Sequence, residues 1–587
     1  MFAEDGIALG HRRLSIIDLS ATGAQPMTQG ASGPTISYNG EVYNFLDLRE
    51  QLTRIGCTFR GRSDTEVMLQ AYESWGMDGL KRLEGIFAFA LWDSRRKRLV
   101  LMRDRLGVKP LFYSWADGRL TFGSEINALM VAGGVDTAID EQALSEYLWY
   151  GNTFEDRTMY RGVRSLPPGH WLVVEDGNVR VEAWWKVEAW LSPQDRPATE
   201  LEATERVRHA LSTAVRRQLI SDVPVGIFLS GGLDSSAIAC SAVRDAGQRL
   251  TSFSAGFDFE GGIDELAKAR RVADVLGLEH HELRVTANDL GDVLLALARA
   301  HGEPFADAAN IPLYLMSRAL TGQIKVVLQG DGGDEMFAGY RRSLMLQHAA
   351  RWKGWPGWLS AALRALPGHA GRRAARMADA MRADPAMRMA SLLTVETTAH
   401  PPTSFLVPEM QDRLARQTDP FLAFKRCDER FNAYEPVQRM LLTDLMLQLP
   451  SQFLAKVDRA TMANGIEARV PLLDERIGEL AVGLPSAWKV RGGRGKVVLR
   501  EAMRGALPDD VLDGPKTGFG VPYQHWLRGG LHDFARDVIL DESVCTRFGL
   551  DRSRLTRALA EHRAGTRDHG FVLWKYLQLG LWTQVAA

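Results

Sequence analysis

The chain has 587 residues, about four times the ~150 residues expected of one domain, so two to four domains are expected. Its 71 Lys and Arg nearly balance 72 Asp and Glu, which argues against a strongly basic binder of nucleic acid or membrane surfaces. No apolar run approaches about 18 residues and no basic–apolar leader opens the sequence, so neither a transmembrane helix nor a signal peptide is expected. Four scattered cysteines without CxxC spacing exclude a disulfide framework and favour a cytoplasmic location.

Residues 1–125 are predicted to alternate short apolar strands with polar turns, a pattern typical of an α+β fold with an antiparallel sheet. Two stretches of this half have apolar residues at helical spacing instead. The predicted strands are 14–17, 35–38, 86–93, 99–103, 111–113 and 120–123, and the predicted helices are 46–55 and 65–75.

From about residue 200 the pattern becomes a strand–helix alternation, which predicts a parallel sheet with crossover helices. The stretch 341–400 is rich in Arg and Ala and is predicted to be helical. We interpret its basic face as solvated, although such a face also fits a membrane or RNA surface. The predicted strands are 225–229, 251–257, 280–285 and 324–329, and the predicted helices are 201–219, one starting at 235, 264–277, 287–300 and 312–320.

These patterns divide the chain into two main domains with a connection between them. The connection carries the Pro-containing run 192–197, which is typical of a linker. The predicted boundaries are an N-terminal domain at 1–165, a linker at 166–200, a C-terminal domain at 201–535 and a helical extension at 536–587.

Residues 228–236 read as a strand that runs into a glycine turn and opens a helix. Glycines let the backbone approach an anion, while serine hydroxyls and N-terminal helix N–H groups supply donors. The Gly-Lys-Ser/Thr step of a Walker P-loop is missing, and Asp234 beside a phosphate cradle predicts Mg²⁺. The residues predicted to bind nucleotide here are Leu229, Ser230, Gly231, Gly232, Asp234 and Ser235.

A second Gly/Asp loop follows the strand at 324–328. Ligands collect at the carboxyl ends of strands in an open α/β sheet, so the two loops are expected to face one nucleotide. Asp234 and Asp334 then become the predicted metal ligands. The residues predicted to contact nucleotide or substrate in this second loop are Gln329, Gly330, Asp331 and Gly332.

The sequence Ser-Gly-Gly-Leu-Asp-Ser at 230–235 resembles the pyrophosphate loop of synthetases that cleave ATP between its α- and β-phosphates. In nearly its whole length the chain is similar to the glutamine-dependent asparagine synthetases. The resemblance implies an antiparallel N-terminal nucleophile (Ntn) sandwich, then a parallel-sheet domain like the adenine-nucleotide hydrolases with a helical C-terminal part, with a homodimer as one expected assembly. The matching C-terminal stretches are 303–307, 330–340, 456–459, 465–474 and 515–519.

The resemblance implies that aspartate is adenylated by ATP, that pyrophosphate leaves on Mg²⁺, and that ammonia then displaces AMP. Negative charge that builds up on phosphate requires fixed cations. Lys516 is similar to the family's mobile-loop lysine and is expected to be catalytic. Lys496 and Arg500 either contact phosphates or begin a helix with solvated basic residues; the sequence leaves both open.

The resemblance also implies an acceptor pocket in the C-terminal half. Glu467 and Arg469 look like part of this pocket, with Glu467 expected to be catalytic and Arg469 to bind substrate. Asp331, also expected to be catalytic, stands where many relatives carry Glu, which shortens the side chain by one methylene and keeps its charge.

The N-terminal half resembles the glutaminase domain of the same family. Arg13 can grip an α-carboxylate, and Glu41 and Asp64 can hold an α-ammonium group. Asn39 and the Gly40 N–H could form an oxyanion hole for amide hydrolysis. The matching stretches are 10–18, 38–44 and 62–66.

Amide hydrolysis in this family uses an N-terminal cysteine whose own α-amine is the base. Here Met1 is followed by Phe2, and Cys57 has no free α-amine. Two explanations stay open: a truncated or misassigned start, or an enzyme that depends on ammonia. For the sequence as given we expect no glutamine hydrolysis but retained ammonia-dependent synthesis.

Two other functions remain open at this stage. An amidotransferase or cyclase could adenylate a different carboxylate in natural-product or cell-envelope synthesis, although the intact run 467–474 and Asp331 favour aspartate. A non-catalytic nucleotide or amino-acid sensor is disfavoured by the intact Asp234, Asp334 and Lys516.

Overall fold

The computed structural model describes residues 1–4, 6–30, 32–191, 195–257, 265–286, 290–347, 383–398, 400–514 and 520–586, together with 358, 362, 377 and 380. Most of the basic stretch predicted to be helical therefore lies outside the described residues. Across the described ranges, no helix combines the length and apolarity that a membrane crossing requires.

The N-terminal half is a sandwich of antiparallel sheets covered by helices on one side. A six-stranded sheet has the order β11-β10-β6-β5-β4-β3, a three-stranded sheet has the order β8-β7-β9, and β1 pairs with β2. The strands are β1 (Phe2–Glu4), β2 (Ile7–Leu9), β3 (Met27–Thr28), β4 (Thr35–Val42), β5 (Gly85–Asp93), β6 (Arg98–Arg103), β7 (Phe112–Ala116), β8 (Arg119–Gly123), β9 (Arg164–Ser165), β10 (His170–Glu175) and β11 (Asn178–Ala183). The helices are α1 (Phe45–Arg54), α2 (Asp64–Trp75), α3 (Met77–Lys81), α4 (Ile126–Ala132) and α5 (Glu141–Tyr150).

Strand β5 shows why these layers form. Its side chains alternate between the two faces of the sheet. Phe87 and Phe89 pack with the buried residues of α1 and α2, whereas Ala88 and Ala90 face the apolar side chains of the three-stranded sheet. Both faces of the strand are therefore buried, which accounts for its nearly continuous apolar sequence.

The C-terminal half is built on a five-stranded parallel sheet with the order β14-β13-β12-β15-β16. The strands are β12 (Val225–Phe228), β13 (Thr251–Phe257), β14 (His280–Val285), β15 (Val326–Leu328) and β16 (Glu467–Arg469). Antiparallel sheets followed by a parallel sheet confirm the predicted fold class.

Helices surround the parallel sheet and form most of the C-terminal part. They include a π-helical segment, Asp444–Leu454. The helices are α6 (Glu200–Gln218), α7 (Leu233–Arg244), α8 (Glu265–Leu276), α9 (Leu290–His301), α10 (Asn310–Leu320), α11 (Gly333–Phe337), α12 (Arg341–Leu346), α13 (Pro385–Leu392), α14 (Pro408–Gln417), α15 (Leu422–Phe431), α16 (Pro436–Thr443), α17 (Ala455–Met462), α18 (Glu475–Ala481), α19 (Ser486–Lys489), α20 (Val497–Ala502), α21 (Asp509–Asp513), α22 (Tyr523–Arg528), α23 (His532–Ile539), α24 (Glu542–Phe548), α25 (Arg552–Arg563) and α26 (Gly570–Val585).

The structure differs from the sequence prediction at three places. Residues 14–17 form no strand. The predicted linker 166–200 contains β10 and β11, and β10 is hydrogen-bonded along β6. Strand β11 lies at the sheet edge and mixes Val with Arg and Glu, so in a single sequence it resembles a connecting segment. Strand β10 lies inside the sheet, and its short apolar run follows directly on the Pro-Pro-Gly turn at 167–169. The remaining domain boundaries stay a prediction.

The predicted extension at 536–587 is integrated into the core. Helix α26 packs along α9 and reaches the N-terminal half, where the Tyr147 hydroxyl donates a hydrogen bond to the Lys575 carbonyl at 2.6 Å. The indole N–H groups of Trp574 and Trp582 donate to the carbonyls of Ala306 and Gly302, each at 3.0 Å. This helix therefore links both halves.

A buried tryptophan fixes the connection between the halves against α18. Trp190 is 2% exposed and stacks edge-on with Trp185, at 4.6 Å between ring centroids. A Cβ on Gly478 would lie 2.5–2.7 Å from carbon atoms of the Trp190 ring. The absence of a side chain at Gly478 is what lets the indole reach the helix backbone.

We expect Gly478→Ala to lower the free energy of unfolding by about 1–3 kcal/mol. The steric overlap of the new methyl group with Trp190 destabilises the fold by more than the higher helix propensity of Ala stabilises it. Urea unfolding followed by tryptophan fluorescence measures the change. Gly10→Ala is the matched control, since a Cβ at Gly10 meets nothing within 4 Å. Equal stability of the two variants would contradict this account.

Candidate active site

A cavity of about 400 Å³ lies at the carboxyl end of the parallel sheet. Strands β12 and β15 are direct neighbours in register, so the loops that follow them leave the sheet side by side. A Cβ on Gly330 would lie 2.9 Å from the Ser235 nitrogen, which shows how closely the two loops approach. Both predicted nucleotide loops therefore line one cavity: Leu229, Ser230, Gly231, Gly232, Asp234, Ser235, Gln329, Gly330, Asp331, Gly332 and Asp334.

The first loop is held in shape by its serines. The Ser235 hydroxyl accepts the Ser230 N–H at 3.1 Å, and the Ser230 hydroxyl accepts the Gly232 N–H at 3.3 Å. Gly231 has a φ of +69°, and a Cβ there would lie 2.6 Å from the Ala269 nitrogen, so glycine is required. The loop leads into the N-terminus of α7, which favours an anion.

One lysine lies between the two predicted metal ligands. The Lys496 ammonium forms ion pairs with Asp234 and, at 2.7 Å, with Asp334. Burial alone would lower the pKa of Lys496, but the two carboxylates outweigh it and the pKa is raised. Lys496 stands at the start of α20, as one of the two sequence interpretations has it, but it is buried and not solvated. A phosphate contact stays a prediction.

The two aspartates fit a Mg²⁺ site that is completed by a ligand. Both carboxylates converge on the one ammonium of Lys496, so they reach a common position, and Cβ atoms on Gly333 and Gly339 would overlap them. Among the described residues no group of three or more side chains is arranged to hold a metal by itself. Mg²⁺ characteristically takes one or two carboxylates together with substrate phosphate oxygens, which matches this pair.

Asp331 lies deeper in the same cavity with a lysine partner that the sequence analysis did not single out. Burial raises the pKa of Asp331, and the charge of Lys456 opposes that rise. Lys456 also pairs with Asp307 at 3.5 Å, and these carboxylates raise its pKa against the effect of burial. Lys456 is 125 residues beyond Asp331 in the numbering, and no local motif in the sequence joins them.

Two more cationic residues were singled out in the sequence, Arg500 and Lys516, and of these two the structure describes Arg500 alone. Arg500 lines the cavity and donates a hydrogen bond from Nε to the Gly495 carbonyl at 2.8 Å, while its Nη1 atom is buried and has no hydrogen-bond partner. Lys516 lies outside the described residues.

A larger cavity of about 1410 Å³ lies in the N-terminal half, and it is lined by all five residues predicted to bind glutamine. Asp64 accepts hydrogen bonds from the Tyr38 hydroxyl at 2.7 Å and from the Val42 N–H at 3.0 Å, and burial raises its pKa. Arg13 donates to the carbonyls of Ile17 and Asp18. The five residues are Arg13, Asn39, Gly40, Glu41 and Asp64.

Glu467 and Arg469 do not line the nucleotide cavity, whereas Glu467 lines the N-terminal cavity; their place in an acceptor pocket stays a prediction. They are two residues apart on β16, so their side chains share one face of the strand, and that face contacts the N-terminal half. Arg469 pairs with Glu467 at 2.9 Å and with Glu41 at 3.2 Å. Glu41 therefore serves the contact between the halves as well as the N-terminal cavity.

Lys109 completes this contact from the N-terminal side. Its ammonium lies 3.4 Å from Asp458 and 3.5 Å from Glu467, and its side chain is fully buried. The carboxylates raise the pKa of Lys109 although burial acts in the opposite direction. Lys109 and Arg469 also lower the pKa of Glu467 against the effect of burial. We call Glu41, Lys109, Asp458, Glu467 and Arg469 the interface ion network.

Two family descriptions match the chain: residues 1–185 match "Glutamine amidotransferase domain" and residues 206–584 match "Asparagine synthase". The asparagine synthetase [glutamine-hydrolyzing] 1 of Bacillus subtilis is 30% identical over 592 residues, which cover 100% of this chain and 90% of that protein. The B. subtilis asparagine synthetase [glutamine-hydrolyzing] 3 is 28% identical, covering 95% and 87%. The amidase chyE of Penicillium rubens is 30% identical, covering 92% and 84%.

We expect Lys109→Met to lower the free energy of unfolding by about 3–5 kcal/mol, because two buried carboxylates lose their cation. Urea unfolding measures this change. Arg54→Met is the matched control, since it breaks an Arg54–Glu50 pair whose side chains are 67% and 68% exposed, worth below about 1 kcal/mol. The double variant Lys109→Met/Glu467→Gln should recover part of the loss; no recovery would show that the charges are not coupled.

Proposed function

The chain belongs to the asparagine synthase family of ATP-dependent ligases, and on that premise we propose that it converts aspartate to asparagine through a β-aspartyl-AMP intermediate, releasing AMP and pyrophosphate. The observation that carries this proposal is the convergence of Asp234, Asp334 and Lys496 beneath the serine-glycine loop. Adenylation converts an unreactive carboxylate into an acyl group with AMP as its leaving group, and the pyrophosphate released needs a cationic site.

The first loop and the N-terminus of α7 would bind the phosphates of ATP. The hydroxyls of Ser230 and Ser235 and the backbone N–H groups are donors, and Lys496 supplies a positive charge that is already in place. Asp234 and Asp334 would hold Mg²⁺, which when bound neutralises charge on the leaving pyrophosphate. Arg500 would contact the outer phosphate.

Asp331 and Lys456 would serve the second step. Ammonia that attacks an acyl-adenylate becomes a cationic nitrogen, which must lose a proton before AMP leaves. The carboxylate of Asp331 lies in the cavity with a raised pKa, and a raised pKa makes a carboxylate a better base. Lys456 would keep Asp331 ionised at neutral pH and orient its carboxylate.

The N-terminal cavity would bind the nitrogen donor, glutamine. Asp64 would bind the α-ammonium group and Arg13 the α-carboxylate, while Asn39 and the Gly40 N–H would polarise the side-chain amide. Free ammonium would replace glutamine where hydrolysis does not operate. A homodimer and a cytoplasmic location stay predictions from the sequence.

A second candidate is the amidation of a larger carboxylate. A cavity of about 330 Å³, lined in part by Asp307, Gln452 and Tyr523, shares Ala309 with the nucleotide cavity and offers more space than aspartate requires. Assays with aspartate and with longer carboxylates at equal concentration separate the two candidates by their kcat/KM values.

With ATP, aspartate and ammonium chloride we expect equimolar asparagine, AMP and pyrophosphate, and we expect Asp234→Asn and Asp334→Asn each to lower the rate about 100-fold or more. Product formation is followed by amino-acid analysis and coupled pyrophosphate detection. Asp245→Asn at the far end of α7 is the matched control and should keep the rate. ADP and phosphate as products would refute the proposal.

We expect the ammonia-dependent rate to fall with decreasing pH through a pKa above the ordinary aspartate value of ~3.9, since Asp331 must be ionised to accept a proton. Asp331→Asn should lose about 10²–10⁴-fold in rate, whereas Asp331→Glu should keep the charge and part of the rate. Burial raises the pKa of the neighbouring Glu335 to about 7, so Glu335→Gln tests whether that group causes the acid limb instead.

A further inference from the structure

A separate polar cavity of about 70 Å³ lies where the two halves meet. Arg103 and Asn152 come from the N-terminal half, and His301, Glu303 and Arg459 come from the C-terminal half. None of the described residues around it lines the nucleotide cavity or the N-terminal cavity. Glu303 and Arg459 lie in two of the sequence stretches singled out above, 303–307 and 456–459, and neither residue has a part in the reaction described above.

Arg459 is the unusual member of this cavity. Its side chain is 8% exposed, its Nη2 atom is buried without a hydrogen-bond partner, and no carboxylate of the described residues lies within 4 Å of its guanidinium. Its guanidinium carbon lies 5.2 Å from the centroid of the Phe112 ring. An arginine cannot shed its proton to escape burial, so an isolated guanidinium here is costly unless an anion reaches it.

Three carboxyl groups line the cavity, and two of them are paired with other cations. Asp458 is held by Lys109 at 3.4 Å, and Glu155 is held by Arg157 at 3.1 Å and by Arg426. Arg103, a second cation, donates to the carbonyls of Lys109, Gly107 and Leu166 and has no carboxylate partner among the described residues. When the third carboxyl group, Glu303, is protonated, the cavity therefore carries an excess of positive charge.

Two further polar atoms in the cavity are without partners. Asn152 Oδ1 and His301 Nε2 are both buried and make no hydrogen bond. The His301 ring stacks on Phe305 with 4.2 Å between centroids, which fixes the ring plane. These atoms give a ligand or its accompanying water polar contacts around Arg459.

We propose that this cavity binds one small monovalent anion, of the size of chloride or acetate, against the guanidinium of Arg459. The volume of about 70 Å³ exceeds the ~30 Å³ that a water molecule takes up in the liquid, and it is too small for a nucleotide or a sugar acid. Water alone would satisfy hydrogen bonds without compensating the charge. The anion would join the two halves, since Arg103 also contacts the backbone of Lys109 in the interface ion network.

Glu303 makes this binding depend on pH. It accepts the Met159 N–H at 3.0 Å, and burial raises its pKa to about 7, against the effect of Arg459. Below pH 7 the carboxyl is mostly neutral and does not repel an anion, whereas above pH 7 it ionises and does. Burial lowers the pKa of His301 to about 3, with Arg459 adding to that effect, so His301 stays neutral throughout this range. The other charged groups that line the cavity are Arg103, Arg157, Arg459, Glu155 and Asp458.

The proposal is tested by the thermal unfolding midpoint of the full chain in sodium chloride, sodium acetate and sodium gluconate at equal ionic strength. We expect chloride or acetate, but not the bulky gluconate, to raise the midpoint at pH 6, and the rise to shrink at pH 8. The chloride and acetate arms distinguish a halide from a carboxylate. Equal midpoints in all three salts at both pH values would overturn the proposal.

Two variants locate the effect. Arg459→Met removes the cation without breaking a described hydrogen bond of its side chain, so it should fold, lose the response to chloride and acetate, and be more stable than the parent in gluconate. Glu303→Gln should keep the response and make it equal at pH 6 and pH 8. An unchanged salt response in Arg459→Met would overturn the proposal.

Anomalous diffraction from crystals soaked in bromide gives a position that does not depend on any variant. A bromide peak beside the Arg459 guanidinium is expected, and its absence at saturating bromide would count against the site. All these readouts measure binding or stability, so they remain informative whether or not the enzyme makes asparagine.

Discussion

The interface ion network is the constraint on which the relation of the two halves depends. Lys109 and Arg469 are fully buried cations, and the carboxylates that compensate them come from β4, α17 and β16. A buried charge without its partner costs several kcal/mol. If the halves docked differently, the network residues of each half would be buried without their ion-pair partners. The network thus favours one docking arrangement of the halves, and the N-terminal cavity, which Met462 and Glu467 help to line, is shaped by that arrangement.

The nucleotide cavity depends on a simpler rule, the geometry of parallel strands. Because β12 and β15 run side by side in one direction, the two loops after them must open at the same edge of the sheet. Lys496 then reaches between the loops from a distant part of the chain and pairs with both aspartates. Its positive charge is therefore in place before any phosphate arrives.

The fold class and both nucleotide loops could be predicted from the sequence, because strand, glycine turn and helix follow each other without interruption at 225–244. The direction in which the Glu467 and Arg469 side chains point could not be predicted from the sequence. It depends on how β16 docks against β4, which lies more than 400 residues earlier in the chain. The interaction of Lys456 with Asp307 and Asp331 was not predicted for the same reason, because these partners are far away in sequence. Strand β11 was missed because it is an edge strand of mixed polarity. Strand β10, which lies inside the sheet, was missed because its short apolar run follows the Pro-Pro-Gly turn at 167–169.

Helix α26 limits how early the N-terminal half can finish folding during synthesis. Tyr147 and Lys575 are in contact although 428 positions separate them, so α5 stays without its covering helix until ribosomes have made the intervening chain. At 5–20 residues per second this interval lasts roughly 20–90 s. During that time an apolar helix face of the N-terminal half is exposed, which makes the nascent chain a plausible client of chaperones that bind such surfaces.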